Sequence, residues 1–357
     1  MSFLEKLKNL WPFNSSPKMK AIGFEQALPL DAPNVFIEKM VARPKPAAKE
    51  VLVKLSASAV NPVDTKMRAG YQLDGTFRIL GFDAVGTVAA VGTEVGLFSV
   101  GDKVYYAGAQ NKSGANAEYQ VVHEQLVGHA PTGLTDAEIA AMPLTSITAS
   151  EILHEALGYE VKKNSAAGKS ILIINGAGGV GSVLIQLAKY MGMTVITTAS
   201  KPASIAWVKS MGADYILDYH QDLYAQLCGI QYEQVDDIAI LQDTNTYWPL
   251  VTKVIKPFGR IASIVETTAP IDMGPLKNIG AQFSWVFMFA KANYGVNMAS
   301  QGEALNNIAS LLEQQIIKST MTTTLLGLSV NNLKRATTMV EEGHSIGKVV
   351  IEYEEQL

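Results

Sequence analysis

Cysteine is almost absent from this sequence, since Cys228 is the only one among 357 residues. A lone cysteine cannot form a disulfide within the chain, which suits a reducing compartment, and we expect a cytoplasmic protein. The scarcity also excludes any structural zinc site that needs two or more cysteine thiolates.

Charge is scarce as well, and neither sign dominates. Charged residues make up 17% of the chain, against about 25% in a typical soluble domain. The 29 basic and 33 acidic residues leave a net charge of −4, which argues against a nucleic-acid partner because phosphate binding needs a basic face. With 48% hydrophobic residues, the composition predicts a large buried core and a subunit interface.

The sequence has no hydrophobic run that reads clearly as a membrane helix. Residues 170–188 carry no charge and are long enough to span a bilayer. They include Asn175, Gln186 and four glycines, however, and are better interpreted as a strand, a glycine turn and a helix, so no membrane partner is expected. Residues 1–18 lack the apolar segment of a signal peptide and are interpreted as a mobile leader, with a weak interfacial helix as the alternative.

Hydrophobic periodicity changes along the chain. Segments 51–54 and 87–95 alternate in character among frequent glycines and predict a β-rich first region. From about residue 170, strands alternate with helices, which predicts βαβ units and a parallel sheet with right-handed crossovers. The predicted strands are 171–175, 194–198, 215–217, 238–241, 260–265 and 348–353, and the predicted helices are 179–190, 203–211, 248–255, 304–315 and 332–342. Gly192, Gly212 and Gly259 are predicted to be left-handed helix caps.

One glycine motif stands at the start of the alternating region. Gly176, Gly178 and Gly181 form G-x-G-x-x-G directly after a predicted strand and at the start of a predicted helix, which is the context of a dinucleotide fingerprint. Glycines there allow a tight turn and a close approach of the backbone to the pyrophosphate, which the helix N-terminus also attracts. We predict that this turn, with Gly179 and Val180, binds a dinucleotide; the alternative is a tight junction without a ligand.

The end of the next strand bears on the choice between NAD and NADP. NAD enzymes are expected to have an acidic residue about 20 residues after the fingerprint, but the sequence there is Thr198-Ala199-Ser200-Lys201. Ser200 can donate a hydrogen bond and Lys201 can supply charge to a 2′-phosphate. We predict NADPH; the alternative for Lys201 is a solvated lysine at a helix start.

Three segments together resemble one enzyme family. They are Asn61-Pro-Val-Asp64, the stretch from Gly86 to Val104, and Pro143–Ala149 ahead of the glycine turn. Their order resembles the medium-chain dehydrogenase/reductase superfamily, in its quinone oxidoreductase branch, over residues 19–354. The similarity is greatest to the zinc-type alcohol dehydrogenase-like subgroup, through stretches 114–120, 178–182, 198–202 and 347–352.

The resemblance implies an α/β protein of two domains. Residues 19–145 and 291–357 would form a GroES-like β-rich catalytic domain with a C-terminal return. Residues 146–290 would form a Rossmann domain with a doubly wound parallel sheet that binds NADP. Homodimers are usual in this branch, so a homodimer is expected.

The zinc ligands of alcohol dehydrogenases are missing from the corresponding positions. The family's Gly-His-Glu motif corresponds to Gly81-Phe82-Asp83, the 61–64 segment has no cysteine, and the five histidines form no H-x-x-x-H pair. We therefore predict no metal. Without a Lewis acid on the oxygen, hydride transfer to an α,β-unsaturated carbonyl compound or a quinone is the favoured reaction. The alternative is an NADPH-binding protein with little turnover, and an alcohol dehydrogenase is the least favoured hypothesis.

The resemblance also implies individual site residues. Lys66, Arg68 and Tyr71 lie in the segment that faces the nicotinamide in this family; Lys66 would stabilise an enolate oxygen and Tyr71 would relay a proton. Solvated loop residues are the alternative. The implied cofactor contacts are Asn61 and Thr148 near the nicotinamide, Tyr219 at the adenosine end, and Thr244 and Val265 at the carboxyl edge of the sheet. Lys348 is a further implied contact, with pairing within the sheet as the alternative.

An aromatic run with period two, Phe283, Trp285, Phe287 and Phe289, is predicted to be strand core and dimer contact rather than a substrate pocket.

Overall fold

The computed structural model describes residues 17–70, 75–343 and 345–354. Most of the predicted leader lies outside these ranges, and Lys18 already belongs to the first strand. The strands are β1 (Lys18–Gly23), β2 (Ile37–Ala42), β3 (Glu50–Val60), β4 (Ala84–Val91), β5 (Lys103–Tyr106), β6 (Tyr119–His123), β7 (Val127–His129), β8 (Ser170–Ile174), β9 (Thr194–Thr198), β10 (Tyr215–Leu217), β11 (Val235–Ile240), β12 (Ile255–Ser263), β13 (Gln282–Trp285), β14 (Met321–Leu326) and β15 (Lys348–Glu352).

The helices flank these strands. They are α1 (Pro62–Ala69), α2 (Asp136–Ala140), α3 (Pro143–Glu151), α4 (Gly179–Tyr190), α5 (Pro202–Met211), α6 (Leu223–Gly229), α7 (Thr244–Val254), α8 (Gly274–Ile279), α9 (Phe289–Tyr294), α10 (Ala299–Glu313) and α11 (Val330–Glu341). A π-helical turn, Ile152–Ala156, extends α3. Across the described ranges, no helix combines the length and the apolar character needed to cross a membrane.

A sheet of six strands is the predicted doubly wound parallel sheet. Its order is β10-β9-β8-β11-β12-β13, and every neighbouring pair is parallel. All residues of β8 are buried, which explains its continuous apolar sequence, since a strand covered by helices on both faces has no polar side. The chain order reverses between β9 and β11 around β8, and open sheets of this kind bind ligands outside the carboxyl ends at that point.

The β-rich first region forms a mainly antiparallel sheet, which we call the first sheet. Strands β14 and β15 from the C-terminal segment also belong to it. Its order is β14-β15-β3-β4-β5-β7, with β6 also paired to β3. Strand β15 is antiparallel to β3, with Val349 opposite Val60. The predicted GroES-like and Rossmann architecture is thereby confirmed, whereas the domain limits stay a prediction.

A backbone contact ties the returning segment to the glycine turn. Gly347 lies in a parallel bridge with Gly178, and its N–H donates to the carbonyl of Ala177 at 2.9 Å. The turn is therefore attached to both sheets.

Each predicted strand and helix has a counterpart in the structure, but most of the boundaries differ by one to five residues. The helix predicted at 304–315 begins at Ala299, and the strand predicted at 87–95 runs from Ala84 to Val91. Gly192 and Gly212 have positive φ as predicted, but the prediction for Gly259 was wrong, because Phe258 has the positive φ instead. Gly259 lies inside β12, where an added Cβ would come 2.7 Å from the carbonyl oxygen of Asp236.

Candidate functional site

A cavity of about 350 Å³ lies at the carboxyl ends of β8, β11, β12 and β13. One wall is formed by residues that follow these strands, and the other by α1, α3 and the segment around β15. The lining residues are Val60–Val63, Lys66, Leu144, Thr145, Thr148, Asn175, Gly178–Gly181, Leu241, Ile264–Glu266, Val286–Phe289, Val340, Gly343, Ser345 and Gly347–Val349. We call this cavity the cleft.

The glycine turn forms the floor of the cleft, and two of its glycines have no room for a side chain. A Cβ at Gly176 would lie 2.0 Å from Oγ1 of Thr197, and one at Gly181 would lie 2.5 Å from the carbonyl oxygen of Asn175. At Gly178 the nearest atom would be Nδ2 of Asn175 at 3.3 Å. The turn is thus packed tightly on β9, while Gly178 faces the space that a phosphate would occupy.

Helix α4 begins in this turn with no side-chain cap at Gly178. The first N–H groups of a helix need external partners, and an anion satisfies them while also meeting the positive end of the helix dipole. Asn175, just before the turn, has a φ of 69° and lines the cleft. The residues present therefore fit a dinucleotide pyrophosphate.

The expected adenosine end also offers polar groups. The Oγ of Ser200 is buried and has no hydrogen-bond partner among the described residues. Lys201 is exposed at the N-cap of α5 and makes no side-chain capping bond. Tyr219 is exposed, with its ring 4.5 Å from that of His220. These residues, two of which the sequence singled out for a 2′-phosphate, lie beyond the lining of the cleft.

A buried charge network lies beside the glycine turn. The ammonium of Lys348 donates to the carbonyl of Val60, to Oδ1 of Asn61 and to Oδ2 of Asp83 at 2.9 Å. The amide of Asn61 donates in turn to Asp83 at 2.8 Å. An added Cβ at Gly179 would come 2.9 Å from Cδ of Lys348, so Lys348 touches the turn with its methylene stem while its ammonium is held by these oxygens.

Two buried carboxylates share this one lysine. Asp64 accepts from the backbone N–H of Asn61 at 2.8 Å and of Gly81 at 2.9 Å. Burial raises the pKa of Asp64 to about 7, partly opposed by those hydrogen bonds and by Lys348. Burial also raises the pKa of Asp83, against the attraction of Lys348. Part of the negative charge at this site is therefore lost when a proton is bound near neutral pH.

The position of a zinc ligand is filled by an apolar ring. Phe82 is buried and packs edge-to-face on Phe289, with ring centroids 4.9 Å apart. The adjoining Asp83 is committed to Lys348 and Asn61. No cluster of three or more His, Cys, Asp or Glu side chains suited to a metal ion occurs in the described part of the chain. The residues present do not fit the zinc of the alcohol dehydrogenases.

The predicted catalytic residues have different surroundings. Lys66 lines the cleft and pairs with Glu266 at 2.9 Å. Arg68 is buried outside the lining and pairs with Glu341 at 2.7 Å, and its role as a donor at the nicotinamide stays a prediction. Tyr71 lies outside the described residues.

Of three further predicted cofactor contacts, one lies on α3 and two follow strands of the parallel sheet. Thr148 lines the cleft and donates to the carbonyl of Leu144 at 2.8 Å. Val265 also lines it, whereas Thr244 is buried outside the lining, 2.7 Å from the hydroxyl of Ser263. Thr244 therefore connects the ends of β11 and β12 instead of facing the cleft.

Two residues of the aromatic run lie in a strand and two line the cleft, and the predicted dimer contact stays a prediction. Phe283 and Trp285 belong to β13, but Phe287 follows it, Phe289 begins α9, and both line the cleft. Period two could not reveal this, because the strand ends within the run.

Two family models match the chain. Residues 47–146 match the alcohol dehydrogenase GroES-like domain, and residues 179–302 match the zinc-binding dehydrogenase domain. A zinc-type alcohol dehydrogenase-like protein from Staphylococcus epidermidis is 41% identical over 93% of this chain and 99% of its own length. A chloroplastic NADPH-dependent alkenal/one oxidoreductase from Arabidopsis thaliana is 34% identical over 66% of this chain and 60% of its own.

Solved structures agree over nearly the whole chain. A protein from Rhizobium etli, provisionally named a zinc-dependent alcohol dehydrogenase, is 36% identical with a TM-score of 0.90, covering 96% of this chain and all of its own. The quinone oxidoreductase from Coxiella burnetii is 28% identical with a TM-score of 0.78, covering 95% of this chain and 100% of its own.

Proposed function

This chain belongs to the medium-chain dehydrogenase/reductase superfamily, and we propose that it is a zinc-independent, NADPH-dependent reductase of α,β-unsaturated carbonyl compounds or quinones. One observation carries the proposal: an apolar cleft extends from an uncapped glycine turn to Phe287 and Phe289, while a phenylalanine fills the metal-ligand position. The names of the Arabidopsis and Coxiella relatives agree with this chemistry.

The choice of NADPH depends on the end of β9. No carboxylate stands at 197–201 to accept a ribose hydroxyl or to repel a phosphate. A 2′-phosphate would use the charge of Lys201 and the hydroxyl of Ser200, which has no partner in the described part of the chain. The turn from Gly176 to Gly181 would hold the pyrophosphate, and Asn61, Thr148 and Val265 would border the nicotinamide.

The main task of the protein in this reaction is to hold the nicotinamide ring against the conjugated bond of the substrate. When bound, the reduced nicotinamide supplies a hydride to the β-carbon, and a proton from solvent or a side chain completes the saturated product. The enolate oxygen gains charge during the transfer, and a nearby cation lowers the barrier. Lys66, whose ammonium lies in the cleft, is the candidate for that role.

Steady-state oxidation of NADPH with a panel of enals, enones and quinones tests the proposal. We expect turnover with at least one activated double bond or quinone and none with simple alcohols and NADP⁺. Tight NADPH binding without turnover on the whole panel would contradict the proposal and favour a binding protein with little activity.

A homodimer is the assembly we propose. Among the described strands, β13 pairs only with β12, and Trp285 on it is 52% exposed. An edge strand with an exposed aromatic residue is a template for pairing with a second copy. Sedimentation equilibrium should give twice the mass of the chain, and Trp285→Lys should weaken the association.

A further inference from the structure

The charged groups of the cleft are few and are divided between two places. Among the described lining residues, the charged ones are Lys66, Glu266 and Lys348. Lys348 is 4% exposed, and its ammonium is held by buried oxygens. Lys66 and Glu266 are 57% and 71% exposed. They are therefore the charges that a substrate entering the cleft would meet.

Lys66 and Glu266 come from opposite sides of the cleft. Lys66 lies on α1, beside the first sheet, and Glu266 follows β12 of the parallel sheet. Their Nζ and Oε1 atoms are 2.9 Å apart. Hydrogen bonding to Lys66 lowers the pKa of Glu266, which keeps the carboxylate ionised at neutral pH.

The remaining surface around this pair is largely apolar. Val63, Leu144, Leu241 and Val286 line it together with Phe287 and Phe289. Such a lining favours a neutral, hydrophobic substrate. A carboxylate on the substrate could bind Lys66 only if it displaced Glu266 from that pair or stayed close to the negative charge of Glu266, which repels it.

We propose that Glu266 is a specificity-determining residue, which neutralises Lys66 and so selects uncharged enones or quinones against those that carry a carboxylate. This inference rests on the proposed function and names the substrate class of the same site. Specificity here comes from an unfavourable charge placed against the wrong substrate rather than from an added contact to the right one.

The small net stability of an exposed ion pair is consistent with this role of Glu266. An ion pair open to water contributes little net stability, so a neutral substrate that disturbs it loses little. Removing Glu266 leaves an unpaired cation at the mouth of a low-dielectric cleft, where attraction for an anion is stronger than in water. The pair therefore costs neutral substrates little and anionic substrates more.

The test uses two probes of the same shape, benzylideneacetone and its para-carboxylate. The measured quantity is the ratio of kcat/KM for the anionic probe to that for the neutral probe. Glu266→Gln should raise this ratio by about tenfold, mainly through KM, and the gain should shrink at high salt. Lys66→Met added to Glu266→Gln should abolish the gain. Glu25→Gln, which disrupts an exposed pair with Lys39 in a different part of the fold, should leave the ratio unchanged.

A ratio within about twofold of the wild-type value in Glu266→Gln would overturn the inference, whatever the activity. If neither probe is turned over, the proposed function is judged separately, on the whole panel of enals, enones and quinones. In that case the ratio of the binding affinities of the two probes is measured by calorimetry on wild type and Glu266→Gln, both saturated with NADP⁺. A rise in the relative affinity for the carboxylate supports the charge selection, and an unchanged ratio refutes it.

Discussion

The ammonium of Lys348 lies 2.9 Å from the carboxylate of Asp83, and both side chains are almost fully buried. They come from the last described strand and from the segment before β4, so one ion pair joins distant parts of the chain. Asp83 also holds the N–H of Leu144 at the start of α3, at 2.6 Å. The pair therefore fixes two elements that border the cleft.

Lys348→Met should lower the free energy of unfolding by about 3–5 kcal/mol, because it leaves Asp83 buried without its cation. Urea denaturation followed by tryptophan fluorescence measures the loss. Lys162→Met, which breaks the exposed Lys162–Glu160 pair, should leave the stability nearly unchanged. Equal effects from the two variants would contradict the importance of burial.

Gly181→Ala should weaken NADPH binding by about tenfold or more, because its Cβ would meet fixed backbone and push the turn away from the phosphate site. The blocking atoms are the carbonyl oxygen of Asn175 at 2.5 Å and Cα of Gly176 at 2.6 Å. Fluorescence titration with NADPH measures the change. Gly229→Ala, where a Cβ meets nothing within 4 Å, should bind normally. Normal binding by Gly181→Ala would count against the assigned turn.

Lys201→Met should weaken NADPH binding by about tenfold while leaving NADH binding almost unchanged, since only NADPH carries the 2′-phosphate. Titration of both cofactors against both proteins measures the selectivity. Lys209→Met, further along α5, is the matched control and should change neither affinity. A parallel loss for NADPH and NADH would show that Lys201 does not read the phosphate.

The stability of the protein should fall as pH rises from about 4 to about 7. Burial raises the pKa of Asp64 from 3.8 to about 7, so the folded state holds a proton that the unfolded state releases at lower pH. That contribution is present at low pH and is lost as pH rises towards the folded-state pKa. Urea midpoints at pH 5 and pH 8 should differ less in Asp64→Asn than in wild type, whereas the exposed substitution Asp31→Asn should keep the wild-type difference. An undiminished difference in Asp64→Asn would contradict the assignment.

Chelation should leave the activity intact. Phe82 offers no ligand atom, and Asp83 is occupied by Lys348 and Asn61. Tag-free protein dialysed against EDTA should keep its rate of NADPH oxidation, and elemental analysis should find no stoichiometric zinc. Loss of activity that added zinc restores would refute this prediction.

Local patterns predicted the parallel sheet well, because βαβ units are built from neighbouring segments with clear periodicity. Helix α4 and strands β9 and β10 have the predicted bounds. The first sheet depended on the family resemblance, since its pairing of β3 with β15 joins segments far apart in sequence.

Side-chain partners were harder to predict than elements. Lys66 and Arg68 are two residues apart on α1, yet one faces the cleft and the other is buried against Glu341. Their partners, Glu266 and Glu341, lie about 200 or more residues further along the chain, so no local pattern identifies them. Phe287 and Phe289 likewise line the cleft, and do not belong to the sheet, because β13 ends at Trp285.

The pairing of β15 with β3 has a consequence for how the protein is made. Val349 pairs with Val60, so the ribosome must synthesise the whole parallel sheet before the first sheet can receive its returning strand. Contacts of such long sequence separation slow folding. Until then β3 of the nascent β-rich region is incompletely paired, and the glycine turn acquires its bond to Gly347 only after the whole parallel sheet has been synthesised.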